Sequence, residues 1–436
     1  MVADFKKIPR SDDERILLEK AARCLPAGTR NPTMDPACAM IIKEARGAYI
    51  TDLSGNRYLD YLLASGPMLL GHAHPSVVAA VGAQLERGSS YLMGCEATVE
   101  LAEKIIDAVP CAERVCFSNT GSEAVLYALR LARAWRDRDK ILKFEGGYHG
   151  QADYALMSNQ WTANPKPHPE AVANSLGIPA CISEQVLVAP FNDTATSAQI
   201  IEDHHDELGA VIVEPMQRTV VPNPGFLEGL AQACSRFDIP LIFDEVVTGF
   251  RLAYGGAQEY YGVVPDLCVV GKSISAGHPL GVVCGRADIM AFAEADRQLS
   301  GGYVSLTGTY SGNPVSCVAA LAVLGELEKE GVYESLFAKG LRLKNGLQTL
   351  FDDAGITATV SGEAPAFEPW FCNGPASDFR WMRQSDFRRS VRFTSLLLER
   401  GVMKAHEKFF VSTVHSDEDV EFTLGAFASA VAELAG

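Results

Sequence analysis

The chain reads as an α/β protein, with a large domain on a mostly parallel sheet sandwiched by helices and a smaller α+β domain drawn from both termini. Three observations predict this. Through the middle of the chain, short β-branched runs alternate with stretches of helical periodicity, as in strands joined by crossover helices. Toward both ends that alternation is lost. The length, 436 residues, suffices for one large domain and a smaller one. The expected boundaries are 1–75 for an N-terminal segment of the small domain, 76–330 for the large domain and 331–436 for the C-terminal small domain.

Taken in order, residues 12–24 form an amphipathic helix, followed by a Pro/Gly loop at Pro26-Ala27-Gly28. Leu53-Ser54-Gly55-Asn56 marks a hairpin turn. Strands are expected at 112–117, 140–144, 185–189, 210–213, 240–244 and 267–270, with helices at 123–136, 196–205 and 225–236. In such a sheet the ligand sits at the carboxyl ends of the strands. Residues 158–182 are polar and carry Pro165, Pro167, Pro169, Gly177 and Pro179; a stretch of that length within a domain is a lid or a binding loop. Beyond Gly331, helices are expected at 334–354 and 387–400.

Composition narrows the function. Hydrophobic residues make up 47% and charged residues 21%, ordinary for a soluble enzyme. No apolar run reaches the roughly 18 residues of a membrane span, and Met1 to Lys7 has no hydrophobic signal core. A net charge of −16 argues against nucleic acid. Eleven cysteines with no Cys-x-x-Cys pair read as reduced thiols, which points to the cytoplasm. His72-Ala73-His74 and His204-His205 lack neighbouring ligands at zinc spacing, so no metal site is expected.

Lys272 carries the chemistry. It follows an apolar run ending in Val269-Val270-Gly271, and Asp244-Glu245 ends the preceding apolar run, Leu241-Ile242-Phe243. A buried strand delivering an acid, then one delivering a lysine, suits pyridoxal phosphate. That cofactor needs an amine to form a Schiff base and a carboxylate to keep its ring nitrogen protonated. Burial of the lysine would lower its pKa and make it a nucleophile. The plain alternative is a solvated lysine at the rim of the sheet.

Other segments fit the same ligand. Ser118-Asn119-Thr120-Gly121-Ser122-Glu123 opens a helix and offers N–H groups to a phosphate; an ordinary capping box is the alternative. In Gly146-Gly147-Tyr148-His149-Gly150 a tyrosine between glycines can lie flat on a planar ring; a glycine turn with an aromatic plug is the alternative. Glu214 ends another strand near the same rim. Thr307-Gly308-Thr309-Tyr310-Ser311-Gly312-Asn313-Pro314 is a polar turn that either caps a helix or supplies further phosphate donors.

These pieces resemble the class III, fold-type I, pyridoxal-phosphate aminotransferases, with the nearest likeness to the glutamate-1-semialdehyde 2,1-aminomutase subfamily. Phe144 to Gly150, Asp244 to Arg251, Tyr260 to Leu267 and Gly308 to Pro314 carry the match, which covers nearly the whole chain. The resemblance implies that Lys272 is the Schiff-base lysine and Asp244 the partner of the ring nitrogen. It implies Tyr148 on one ring face and Val246 on the other, with His149 beside the cofactor and Gly121 and Ser122 on the phosphate. Gly308 and Thr309 would reach the phosphate of the neighbouring subunit, making a homodimer with shared active sites. No nucleic acid or membrane partner is implied.

The departures concern substrate. Ser65 stands where the aminomutase pattern has a tryptophan before Gly-Pro-Met, leaving a larger cavity. Met34 stands where its N-terminal loop carries an arginine, with Arg30 displaced nearby. Glu407 and His415-Ser416 match, but the segment before them is about three residues shorter. Thr219 takes the place of a glutamate found in many ω-aminotransferases. Arg380, Arg383 and Lys408 are further candidates for a substrate carboxylate, with solvated surface charge as the alternative. The expected function is an aminotransferase moving an amine between a donor and a keto acid or aldehyde. The alternatives are the aminomutase, an isomerase, and a racemase or decarboxylase on the same fold.

Overall fold

The computed structural model describes residues 8–26, 39–162, 165–404 and 407–435. They divide into two compact units. One comprises Ser76–Lys329 with Ser377–Arg383; the other comprises Met1–Pro75, Glu330–Ala376 and Gln384–Gly436.

The first unit is built on a seven-stranded sheet. Its order is Arg114–Ser118, Gly281–Gly285, Leu267–Val270, Leu241–Glu245, Leu208–Val213, Lys140–Phe144, Val186–Ala189. All strands run the same way except Gly281–Gly285, which pairs antiparallel with both neighbours. The central strands are buried along their whole length, as a sheet covered on both faces requires, so they read as apolar runs without alternation. Helix Gly121–Arg136 lays Ala124, Val125, Ala128, Leu129, Leu131 and Ala132 on the sheet. Each large aliphatic side chain buried there contributes roughly 1.5–3 kcal/mol.

The expected strands and helices of this unit are present, with ends shifted by one or two residues. Strand Gly281–Gly285 was not expected. Its Gly-Val-Val-Cys-Gly sequence sits between turn residues, and no crossover helix announces it, because an antiparallel neighbour needs none. The described residues of 158–182 have little regular structure. They are pinned by isolated bridges, Met157 to Ala173 and Glu170 to Leu187, and by one helical turn at Ala180–Ser183.

The second unit holds two small sheets. Ile42–Arg46, Tyr49–Asp52, Arg57–Asp60 and Val402–Met403 form one; Thr359–Glu363, Ala366–Trp370 and Phe409–Phe410 form the other. The hairpin turn falls between Tyr49–Asp52 and Arg57–Asp60, where Asp52 accepts the N–H of Asn56 at 2.7 Å. Helices Val332–Asp353, Phe387–Glu399 and Asp417–Ala435 cover an aromatic core of Phe351, Phe371, Phe393, Phe409 and Phe427. That core also buries an ion pair, Lys404 Nζ to Glu368 Oε1 at 2.8 Å. Among the described residues no helix is long and apolar enough to cross a membrane.

Candidate active site

The site begins with strand register. Asp244 pairs with Val269 and Glu245 with Val270 in adjacent parallel strands. Lys272 follows Val270 by two residues and opens a short 3₁₀ turn, Lys272–Ser275. The acid and the lysine therefore leave the sheet at the same edge, on neighbouring strands. Lys272 has φ +46°, a left-handed backbone that a non-glycine residue adopts only at a cost and that gathers at functional sites. It is half-buried, less enclosed than its apolar approach implied.

Asp244 is 5% exposed. Its Oδ1 accepts the N–H of Val246 at 3.1 Å, and its Oδ2 lies 2.8 Å from His149 Nδ1. An ionised carboxylate only accepts, so Nδ1 carries the proton and the imidazole holds Asp244 in place. His149 Nε2 is buried without a hydrogen-bond partner. The structure thus puts His149 in contact with the acid, a more specific place than beside a cofactor.

At the start of helix Gly121–Arg136 the capping box is formed. Thr120 Oγ1 accepts the N–H of Glu123 at 3.1 Å, and Glu123 Oε2 accepts the N–H of Asn119 at 2.9 Å. This cap leaves the first-turn N–H groups of Gly121 and Ser122, which precede any intrahelical acceptor. A side chain at Gly121 would put its Cβ 2.9 Å from Val246 Cγ2, so the glycine lets the two approach. Gly150, with φ +91°, lies against Ser122; a Cβ there would be 2.5 Å from Ser122 Oγ. Gly308 packs beside Asn119 of its own chain, and Thr309 is exposed. Buried Asn119 Oδ1 and Ser311 Oγ, both near Gly308, have no partner among the described residues.

Tyr148 is 43% exposed, with its N–H on Glu214 Oε1 at 2.7 Å and its hydroxyl accepting from Gln151 at 2.7 Å. Glu214 Oε2 accepts the N–H of Arg218 at 3.4 Å, so the carboxylate braces the Tyr148 turn. Arg380 is also committed: its Nε lies 2.6 Å from Glu145 Oε2. Arg383 stacks over Trp161 at 5.1 Å. Neither is a merely solvated charge.

In the second unit Ser65 is exposed and lies in a left-handed run, with φ +46° at Leu63, +54° at Ala64 and +69° at Ser65. Asp60 Oδ1 holds this turn by accepting the N–H groups of Leu62 and Leu63 at 2.8 and 3.0 Å. Glu407 is exposed, and its charge helps push buried Glu368 up to about 8, after burial itself. Lys408 is half-buried, and its charge acts on Glu368 in the opposite direction. Arg30 and Met34 lie outside the described residues.

Residue spacing concealed two groups. Lys143, Gln217 and Arg218 converge under the Tyr148 turn. The only sequence signal was a lysine inside the apolar run Lys140–Phe144. The buried thiols of Cys111, Cys268 and Cys284 lie within 4.8 Å of one another, although they are far apart in the chain. Burial raises Cys268, and the contact with Cys111 followed by burial raises Cys284, well above the ordinary thiol range.

The chain matches the family described as Aminotransferase class-III over residues 31–375. It is 40% identical over 423 residues to a glutamate-1-semialdehyde 2,1-aminomutase of Desulforudis audaxviator, spanning 94% of this chain and 95% of that one. Among solved structures it resembles an omega-transaminase from Sphaerobacter thermophilus, with TM-score 0.92 and 34% identity over 98% of this chain and 99% of that one. It also resembles a transaminase with pyridoxal phosphate bound, with TM-score 0.89 and 28% identity over the same shares of the two chains.

Proposed function

We propose that this chain, which belongs to the class III aminotransferase family and takes pyridoxal phosphate as its cofactor, shifts an amino group within one small substrate, the reaction of a glutamate-1-semialdehyde 2,1-aminomutase. One observation carries the reading: the likeness to that aminomutase is nearly full-length.

The residues present fit the cofactor. A carboxylate and a lysine leave neighbouring strand ends, a helix start offers N–H groups beside a glycine, and the buried Ser311 hydroxyl near that start lacks a partner among the described residues. When bound, pyridoxal phosphate supplies an aldehyde that condenses with amines and a ring that withdraws electrons. The Lys272 amine would bind the aldehyde and, once released from it, would remove and return the proton at the substrate carbon that loses or gains the amine, as general base and acid. Asp244, braced by His149, holds the ring nitrogen protonated. Tyr148 and Val246 would hold the ring, and Gly121 and Ser122 would hold the phosphate through backbone N–H groups and the Ser122 hydroxyl. Gly308 and Thr309 serve the site of the neighbouring subunit in a cytoplasmic homodimer.

The test is glutamate-1-semialdehyde given alone to the purified protein, with 5-aminolevulinate measured. Steady formation without a keto acid is expected. Absence of product from protein that carries its cofactor sinks the aminomutase reading.

A second reading, an aminotransferase with separate donor and acceptor, is favoured by Ser65. A small exposed side chain on a strained turn replaces a large flat wall. Under this reading Ser65→Trp lowers kcat/KM for a bulky amine more than for a small one. Equal falls for both donors remove the support that Ser65 gives.

A further inference from the structure

Every backbone polar group from the N–H of Glu145 to the N–H of Tyr148 has a partner. The Glu145 N–H donates to Ala189 at 2.9 Å, Gly146 to Ser158 at 2.7 Å and Gly147 to Phe144 at 3.0 Å. The Glu145 carbonyl accepts from Gln217 Nε2 at 2.6 Å and that of Gly146 from Arg218 Nε at 3.0 Å. The Gly147 carbonyl accepts from Lys143 Nζ at 3.0 Å, and the Tyr148 N–H goes to Glu214. The same Nζ donates to Ala155 at 3.3 Å and to Met157. Three carbonyls therefore face the three N–H bonds of one ammonium group.

Lys143 is 0% exposed, and among the described residues no carboxylate pairs with it. A buried charge without a counter-ion is expensive unless fully hydrogen-bonded, and an apolar side chain of similar length would fill the space more cheaply. What only the lysine supplies is the three-way link. We propose that Lys143 is a positioning residue for the reaction: it ties the Gly146–Gly147 turn to the Ala155–Met157 segment and so fixes where Tyr148 and His149 meet the cofactor and Asp244. The proposal rests on the reading that this turn lies at the cofactor.

Burial lowers Lys143 to about 7; Glu214 opposes the shift and Arg218 adds to it, both from the loop after Leu208–Val213. The neighbouring strand presents apolar Val188, and the 155–157 segment presents carbonyls. A neutral amine has two N–H bonds and a lone pair, so one of the three carbonyls loses its donor as pH rises through that value.

The experiment uses holoenzyme of wild type, Lys143→Met and Lys143→Arg. Lys143→Met should melt as a folded protein yet lose most of the visible circular dichroism of its bound cofactor. Its kcat should fall about tenfold or more, the size of one lost charge-assisted hydrogen bond, and it should lose the wild-type change in the visible signal near pH 7. Lys143→Arg should recover part of the signal. Wild-type dichroism, rate and pH profile in Lys143→Met overturn the proposal. Should that variant fail to fold, amide exchange in wild type decides. After correction for intrinsic rates, protection at residues 146–148 should be weaker at pH 8 than at pH 6, and equal protection overturns the proposal. The exchange measurement reads the turn even in a protein that binds no pyridoxal phosphate, an outcome that would instead overturn the reading of the family's cofactor for this chain.

Discussion

At the residue scale, Asp244 and Lys272 were legible because each stands at the end of an apolar run, where a parallel sheet puts its ligand. Their partners were not. Nothing in the chain says that His149 reaches back to Asp244, or that Glu214 spends its carboxylate on the Tyr148 N–H, because both contacts depend on loops folding together. The Asp244–His149 contact makes a prediction. Asp244→Asn should keep some cofactor binding but cut turnover heavily, since a neutral ring nitrogen makes a poor electron sink. His149→Phe, which leaves Asp244 without its brace, should give a smaller loss, seen in kcat more than in KM. An unchanged rate in Asp244→Asn would remove that residue from the ring nitrogen.

Among the elements, the two glycine turns and the helix start act together. Gly150 combines φ +91° with a position where a Cβ would sit 2.5 Å from Ser122 Oγ. Gly150→Ala should therefore displace Ser122 and weaken cofactor binding by about tenfold or more, as loss of a phosphate contact would. Gly177 is the matched control: its φ is +88°, but nothing lies within 4 Å of its Cβ position. Gly177→Ala should cost only roughly 1–2 kcal/mol of backbone strain and leave the cofactor titration unchanged. Equal effects of the two on affinity would mean that strain, and not the Ser122 contact, matters. The parallel strands and their helices were readable from periodicity. Strand Gly281–Gly285 was not, since a short glycine-bounded run carries no period to read.

Across the whole molecule, buried titratable groups should shape the stability. His415 stacks on Tyr61 with centroids 4.3 Å apart, and its Nδ1 accepts the N–H of Ser412, so it is held neutral. Burial lowers its pKa to about 4. The unfolded chain then binds a proton near 6.5 that the folded chain refuses, and stability falls with pH from about 6.5 down to about 4. Urea midpoints at pH 7 and pH 5 should show this group costing about 2 kcal/mol, with a smaller acid loss in His415→Gln. An identical loss in the variant would assign it to other groups. The buried Lys404–Glu368 pair gives a second check. Lys404→Met should destabilise by roughly 1–3 kcal/mol, because it leaves the buried Glu368 carboxyl without its donor, and replacing both with apolar residues should recover much of that. The regular alternation of the middle and its loss toward the ends were visible in the sequence. That Ser377–Arg383 joins the unit with the seven-stranded sheet was not, since no change in composition marks it.

The central claim is that Lys272 is the amine that pyridoxal phosphate takes. Lys143 is the natural rival, fully buried and lowered to about 7, at the edge of the same turn. Borohydride reduction of the yellow holoenzyme followed by peptide mapping separates them. A single modified lysine at Lys272, with Lys272→Ala unlabelled and almost without turnover, is the predicted result. Label on Lys143 or another lysine, or a colourless protein that takes up no pyridoxal phosphate, would contradict it.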